Sequence, residues 1–278
     1  MSPVSRQCGK RIARTPAVKP DPMEEQISQS KARRSVYILP NLFTMASLFA
    51  GFLGALWAIE GRFDMTCLAI LFSCLFDGLD GKVARLTGTS SDFGVQFDSL
   101  SDLVAFGVTP AIMAYQWQLA PFGRLGILAA FMLVACGALR LARFNVMAGK
   151  TVTSKKFFVG LPIPAAGCML ALFYMFERYL PAEIAAVVMP KACLGLVYAL
   201  SFLMVSRVRY ASFKEFGLVK AHPFSAMVTA MLLFVVVASE PWLMGFLLFS
   251  AYLLSGPFYT FFVLPRRAKL REPLQELS

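Results

Sequence analysis

Charged residues are scarce in this sequence. They make up 15% of the 278 residues, whereas hydrophobic residues make up 58% and the mean hydropathy is +0.64. A soluble globular domain usually has about 25% charged and about 45–50% apolar residues. The chain therefore has too little polar surface to cover a water-soluble body, and its composition indicates a membrane protein.

Histidines and paired cysteines are lacking too. His222 is the single histidine, and the cysteines are scattered without a C-x-x-C pair, at Cys8, Cys67, Cys74, Cys136, Cys168 and Cys193. These residues do not readily form a Ser–His–Asp hydrolase or a zinc site made of several imidazoles. We interpret the cysteines as small hydrophobic residues in apolar surroundings.

Apolar runs of about 20 residues, long enough to cross a membrane, are abundant. They can be drawn at residues 38–59, 63–79, 96–119, 125–141, 161–177, 189–206, 223–240 and 242–264. Most lysines and arginines lie before the first run, after the last run or in every second connection, which predicts that both termini are cytoplasmic. The predicted fold class is all-α, a polytopic membrane helix bundle with about eight transmembrane helices.

The lysines and arginines that give the chain its net charge of +11 follow the same alternation. We therefore attribute this charge to topology and to contact with anionic membrane lipid, and we expect no nucleic-acid partner. Residues 1–34 lack an apolar period and the apolar core of a signal peptide, so they are predicted to form a disordered basic cytoplasmic tail. Residues 35–264 are predicted to be one membrane domain, followed by a polar cytoplasmic tail at 265–278.

Four aspartates follow one another at helical spacing, at Asp77, Asp80, Asp98 and Asp102. On a helix the first two lie within about 60° of each other and the last two within about 40°. Carboxylates at membrane depth are costly and normally face a water-filled cavity or a partner. We expect two same-face pairs at the cytoplasmic boundary, one ending its helix and the other starting the next. Asp92 is placed in the loop between them, in solvent.

Four converging carboxylates favour bound cations. Mg²⁺ and Mn²⁺ prefer carboxylate and phosphate oxygens, and two such ions could bind a pyrophosphate. Small residues would leave room for a nucleotide against the helices, at Gly78, Gly81, Ala84 and Gly94. Arg85 could meet the diphosphate. For any single aspartate, a helix cap or a pair with Lys82 or Arg85 remains the alternative.

The whole pattern, D-x2-D-G-x2-A-R-x8-G-x3-D-x3-D, resembles the signature of the CDP-alcohol phosphatidyltransferase family, with every fixed position present. The resemblance implies a dimeric helix bundle, a CDP-linked lipid donor, CMP as leaving group and a divalent metal. It implies that Asp77, Asp80 and Asp98 are metal ligands and that Asp102 is both ligand and catalytic base. It also implies a CDP-lipid site lined by Gly81, Ala84 and Arg85.

Further stretches resemble the branch of that family that accepts serine, the CDP-diacylglycerol–serine O-phosphatidyltransferases. They are residues 101–110, 139–145, 158–164 and 205–214, and the similarity extends over most of 35–264. Serine carries a carboxylate, so its site benefits from cationic and amide donors; the candidates are Arg140, Arg143, Asn145 and Lys214. For the basic side chains among them, the alternative is that they only anchor the helix ends at the cytoplasmic side of the membrane. Pro162 and Pro164 are expected to start or kink the fifth helix.

The predicted reaction is a direct displacement, in which Asp102 deprotonates the serine hydroxyl and CMP leaves from CDP-diacylglycerol. We expect the active site at the cytoplasmic face of a bacterial inner membrane. The acceptor could instead be glycerol 3-phosphate, inositol phosphate or choline. In a different class, the acids could bind the ion of a cation transporter, although transporters usually place such sites near the bilayer midplane between repeats.

Overall fold

The computed structural model describes residues 22–87, 91–148, 157–211 and 239–260, and within these ranges the chain is almost entirely helical. The helices are α1 (Pro22–Ile59), α2 (Phe63–Thr87), α3 (Asp92–Asp102), α4 (Thr109–Ala114), α5 (Arg124–Ala148), α6 (Ile163–Phe176), α7 (Ala182–Val205) and α8 (Pro241–Phe258). The prediction of an all-α membrane bundle is confirmed.

Five helices in the described ranges are long and apolar enough to cross a membrane, at Asn41–Ile59, Asp92–Phe122, Arg124–Met147, Ala182–Val205 and Pro241–Phe258. They correspond to the first, third, fourth, sixth and eighth predicted runs, and the chain is an integral membrane protein. The run predicted at 223–240 lies almost wholly outside the described residues. The count of eight and the cytoplasmic location of both termini therefore stay predictions.

Helix boundaries differ from the predicted ones in three places. Helix α1 begins at Pro22, inside the stretch predicted as a disordered tail, and its membrane-length part begins at Asn41. Helix α2 continues to Thr87, well past the end of the predicted run at 79. Asp92 is the exposed first residue of α3 and not a loop residue, because Ser91 accepts a hydrogen bond from the Gly94 amide and caps the helix there.

The third span is one helical rod with two wider turns. A π-helical segment, Leu103–Val108, joins α3 to α4, and a second one, Tyr115–Leu119, continues into a 3₁₀ turn at Ala120–Phe122. The carbonyl oxygen of Val104 accepts a hydrogen bond from the backbone N–H of Thr109, and the hydroxyl of Thr109 lies 2.9 Å from it. Such turns are frequent at functional sites, and the first one begins directly after Asp102.

Helix α1 anchors its neighbours through one face of its backbone. Side-chain hydroxyls of α2, α3 and α4 donate to its carbonyl oxygens, from Ser101 to Thr44 (3.1 Å), Ser73 to Ser47 (3.0 Å), Thr109 to Gly51 (2.8 Å) and Thr66 to Gly54 (3.1 Å). Close approach explains the glycines, since a Cβ at Gly51 would lie 2.7 Å from the Ala105 Cα. Small residues and hydroxyls hold helices together in lipid, so α1 sets the positions of both acid-bearing helices.

Helix α6 lies at the centre of the bundle, with ten of its fourteen residues buried. Pro162 occupies its N-cap and Pro164 its first turn, which confirms that these prolines start the fifth predicted helix. Just before it, strand β1 (Phe157–Val159) pairs antiparallel with β2 (Arg209–Ala211), a short ladder that the helical prediction did not include. Gly160 has a φ of +85°, and a Cβ there would lie 2.4 Å from the Met204 carbonyl oxygen. The segments before α6 and after α7 are thereby tied together.

Candidate active site

Helices α2 and α3 bring three of the four predicted acids together. Asp77, Asp98 and Asp102 each offer a carboxylate oxygen, and these oxygens lie within 4.8 Å of one another. Asp77 and Asp102 come within hydrogen-bonding reach. Asp98 and Asp102 of α3 thus face Asp77, which lies within α2 and does not end it.

Asp102 is a buried member of this group, with a carboxylate oxygen that is unpaired within the described part of the chain. It is 7% exposed, and among the described residues its Oδ1 atom has no hydrogen-bond partner. A buried acceptor without a partner costs about 1–3 kcal/mol, and more when the group is charged. Carboxylate oxygens that converge on one point are the ligands that Mg²⁺ and Mn²⁺ prefer. The residues present thus fit a divalent cation, which would supply the missing partner.

Asp80 lies beside this group without being part of it. It is 5% exposed and accepts a hydrogen bond of 2.9 Å from the hydroxyl of Thr44 on α1. It also interacts electrostatically with Asp77 and Asp98, so it flanks the three-acid group. The structure therefore distinguishes one of the four aspartates from the others by its partner.

Among the described residues, Arg140 on α5 is a cation that faces the acids. It interacts electrostatically with Asp102 and Asp77, and within the described part of the chain its buried Nε has no hydrogen-bond partner. A guanidinium presents a rigid fork of donors that suits carboxylate and phosphate groups. A buried acceptor, Asp102 Oδ1, and a buried donor, Arg140 Nε, thus both lack a hydrogen-bond partner among the described residues at this site.

The other predicted acceptor-site residues lie differently. Asn145 donates to the hydroxyl of Ser99 (3.0 Å) and to the side-chain oxygen of Gln96 (3.1 Å), so it ties α5 to α3 next to Asp98. Arg143 is exposed and its guanidinium lies 3.5 Å from the Val205 carbonyl oxygen at the end of α7. Lys214 is outside the described residues.

The small residues predicted to line a nucleotide site have different surroundings. Gly78 is exposed, and a Cβ there would meet nothing within 4 Å, so the space above it is open. A Cβ at Gly94 would lie 3.2 Å from the Ser91 hydroxyl and 3.4 Å from the Asn41 side-chain oxygen, so this glycine is also required by the contact between α1 and α3. Gly81 is partly exposed. The side chains of Ala84 and Arg85 are outside the described part.

Sequence reasoning missed Thr44 and Ser101, which the structure places next to Asp80 and Asp102. Both are almost fully buried, at 4% and 1% exposure. A signal was present in the sequence, because Thr44, Ser47, Gly51 and Gly54 recur at spacings of three and four in an otherwise apolar run. That spacing marks one helix face of small and polar residues, which is typical of helix contacts in membranes.

Comparison with known proteins finds curated relatives of this chain. A curated CDP-diacylglycerol–serine O-phosphatidyltransferase of Helicobacter pylori is 42% identical over 184 residues, covering 65% of this chain and 74% of the relative. An archaetidylserine synthase of Methanothermobacter thermautotrophicus is 39% identical over 178 residues, covering 63% and 70%. A CDP-diacylglycerol–serine O-phosphatidyltransferase of Bacillus subtilis is 33% identical over 178 residues, covering 64% and 92%.

The family model described as CDP-alcohol phosphatidyltransferase matches residues 37–198. The matched region contains α1 from residue 37 onward, both acid-bearing helices, the π-helical turn after Asp102, and Arg140. It covers more than half of the chain. The chain belongs to the CDP-alcohol phosphatidyltransferase family.

Proposed function

We propose that this protein transfers the phosphatidyl group of CDP-diacylglycerol to L-serine, which yields phosphatidylserine and CMP. The observation that carries the proposal is the unpartnered Oδ1 of buried Asp102 within a group of three carboxylates. Serine as acceptor is supported by the names of relatives that are 42% and 33% identical to the chain, together with the placement of Arg140.

Asp77, Asp98 and Asp102, flanked by Asp80, would hold two divalent cations, Mg²⁺ or Mn²⁺. When bound, these ions neutralise the diphosphate and the departing CMP. The converging carboxylates favour bound cations, because like charges at this distance repel one another until a cation offsets them.

Asp102 is the proposed base. Its carboxylate accepts the proton of the serine hydroxyl, whose oxygen forms a bond to the phosphorus that carries diacylglycerol. The bond from that phosphorus to the oxygen shared with CMP breaks, and CMP leaves with the electron pair. Buried surroundings favour this role, because water is kept away from the carboxylate and cannot compete for the proton.

Arg140 is proposed to bind the carboxylate of serine through its guanidinium fork. Its charge also offsets part of the charge of Asp102 and Asp77. Asn145 positions α5 against α3 through Ser99, which keeps this arginine beside the acids. Arg143 and Lys214 are proposed as outer contacts of the acceptor.

The donor site is proposed to extend along α2. The open space above Gly78 admits the cytidine nucleotide, and Gly81, Ala84, Arg85 and Gly94 complete the proposed surface. Apolar side chains exposed on the outer faces of the helices fit lipid acyl chains. The site is proposed to face the cytoplasm of a bacterial inner membrane, where serine is present, and the protein is proposed to act as a homodimer.

The experiment is an acceptor panel with the purified protein in detergent, CDP-diacylglycerol and Mn²⁺ or Mg²⁺. Serine, glycerol 3-phosphate, inositol phosphate and choline are offered separately, and both CMP and the lipid product are measured. We expect CMP release with serine, and its loss after EDTA. Preference for another acceptor would contradict serine specificity. Absence of CMP release together with ion uptake by proteoliposomes would instead indicate a transporter.

A further inference from the structure

The hydroxyl of Thr44, on α1, contacts Asp80, the aspartate that lies outside the group of three. Thr44 on α1 donates to Oδ2 of Asp80 over 2.9 Å, and the two residues are separated by 36 positions in sequence. Both are buried, at 4% and 5% exposure. Hydrogen bonds to an ionised acceptor in dry surroundings are the stronger kind, so this one restrains the carboxylate.

The position of Thr44 is itself fixed from the other acid-bearing helix. Its backbone carbonyl accepts a hydrogen bond of 3.1 Å from the hydroxyl of Ser101, the residue before Asp102. Thr44 therefore connects Asp80 on α2 to the neighbour of Asp102 on α3. Thr44 is thus one of the α1 residues through which the two aspartate pairs are placed relative to each other.

The side chain of Thr44 has a different role from those of the other residues on this face. The carbonyl oxygens of Ser47, Gly51 and Gly54 also receive hydroxyls from neighbouring helices, and none of these bonds involves a carboxylate. Docking of α3 uses the carbonyl oxygen of Thr44, which Thr44→Val keeps. The bond to Asp80 uses the hydroxyl, which Thr44→Val removes at nearly constant volume.

We propose that Thr44 is a positioning residue for the phosphatidyl-transfer reaction, whose hydroxyl orients the Asp80 carboxylate beside Asp77 and Asp98. This inference rests on the proposed function, since it concerns how the same site holds its divalent cations. Groups that orient a metal-binding carboxylate typically contribute about 10- to 100-fold to metal affinity or activity. Thr44 itself touches neither the reacting atoms nor the substrate.

The test compares Thr44→Val and Thr44→Ser with the unchanged protein and with a matched control, Thr66→Val. Thr66 is a fully buried threonine that donates to the Gly54 carbonyl oxygen, at the opposite end of the contact between α1 and α2. Mn²⁺ binding to the full chain in nanodiscs, without substrate, is measured by loss of the free Mn²⁺ signal in electron paramagnetic resonance. Monodispersity on gel filtration reports folding.

We expect Thr44→Val to bind Mn²⁺ at least about tenfold more weakly, as for other groups that orient metal ligands. Thr44→Ser restores binding because it keeps the hydroxyl, and Thr66→Val binds like the unchanged protein. In CMP-release assays, Thr44→Val requires more Mn²⁺ for half-maximal activity, while its KM for serine does not change.

Equal Mn²⁺ affinity of Thr44→Val and the unchanged protein would overturn the proposal. Equal losses in Thr44→Val and Thr66→Val would also overturn it, because they would show that the hydroxyl only supports packing. If the unchanged protein releases no CMP with any acceptor, the proposed function fails, whereas the Mn²⁺ titrations still decide the role of Thr44.

Discussion

The two ends of the bundle differ in the partners of their acidic side chains. Asp77 and Asp64 both lie on α2, about 20 Å apart along the helix axis. At the Asp77 end, three carboxylates face one another and the Oδ1 of Asp102 has no hydrogen-bond partner among the described residues. At the Asp64 end, acids are matched with donors, since Asp64 pairs with Arg178 and Glu177 accepts from the Trp117 indole at 3.1 Å.

The matched end has the character of a structural clamp. Glu177 also accepts from the Gln118 amide at 3.3 Å, and Tyr179 donates to Glu240 over 2.7 Å. That bond raises the pKa of Tyr179, because loss of the phenol proton would place a second negative charge beside Glu240. These pairs join the end of the third span to the segments that follow α6 and precede α8. Acids at the Asp64 end thus serve packing, whereas the proposed chemistry is assigned to the three facing carboxylates at the Asp77 end.

The largest expected effect is at the unmatched end. Asp102→Asn removes the proposed base while keeping its shape, so we expect CMP release to fall about 10²- to 10⁴-fold, the usual contribution of general base catalysis. The measurement is initial rate at saturating serine, CDP-diacylglycerol and Mn²⁺, with gel filtration to verify folding.

Asp64→Asn is the matched control at the other end of α2. Its side chain is 54% exposed and its ion pair lies at the surface, so we expect activity within about twofold of the unchanged protein. If Asp102→Asn kept more than about a tenth of the activity, or if Asp64→Asn lost as much, the division between the two ends would be wrong.

A smaller effect is expected at Arg140, a cation that faces the acids. Arg140→Lys keeps the charge but loses the fork that would bind a carboxylate through two bonds. We expect the KM for serine to rise about tenfold, which corresponds to about 1.4 kcal/mol, with little change in the KM for CDP-diacylglycerol. Steady-state kinetics with each substrate varied in turn measures both values.

Arg143→Lys provides the comparison, because Arg143 is exposed and directed toward the Val205 carbonyl oxygen. We expect the KM for serine to rise less in this variant than in Arg140→Lys, because Arg143 is proposed only as an outer contact of the acceptor, and we expect the KM for CDP-diacylglycerol to be unchanged. A rise in the KM for CDP-diacylglycerol alone in Arg140→Lys would show that Arg140 binds the diphosphate and not the acceptor.

The sequence singled out the three aspartates that the structure brings together, because their spacing on two consecutive helices is that of side chains on one helix face. It did not predict that Asp80 would be set apart from Asp77, Asp98 and Asp102. That distinction comes from Thr44, which meets Asp80 only through the packing of α1 on α2. Contacts between residues 36 positions apart depend on the register of two helices, and apolar periodicity within each helix does not determine that register.

The wide turn after Asp102 was beyond prediction for a related reason. Leu103–Val108 is apolar apart from its glycine, and nothing in its composition distinguishes a π-helical turn from an α-helical one. The turn is compatible with the fold because the Thr109 hydroxyl lies within reach of the Val104 and Gly51 carbonyl oxygens. Membrane spans could be predicted more directly, because length and hydropathy alone determine them.

The smallest effect is expected at the matched end, and it concerns stability. Glu177→Ala removes the acceptor of both Trp117 and Gln118, so we expect the unfolding free energy to fall by about 1–2 kcal/mol. Thermal unfolding in detergent measures this change, and CMP release per folded molecule should stay constant. Trp117 also packs edge-on against Tyr174 at 5.2 Å, so part of the clamp persists without Glu177. A variant with unchanged thermal stability but a lower turnover number would show that Glu177 takes part in the reaction. The presence of hydrogen-bond donors beside an acid would then no longer distinguish the structural acids of this protein from the functional ones.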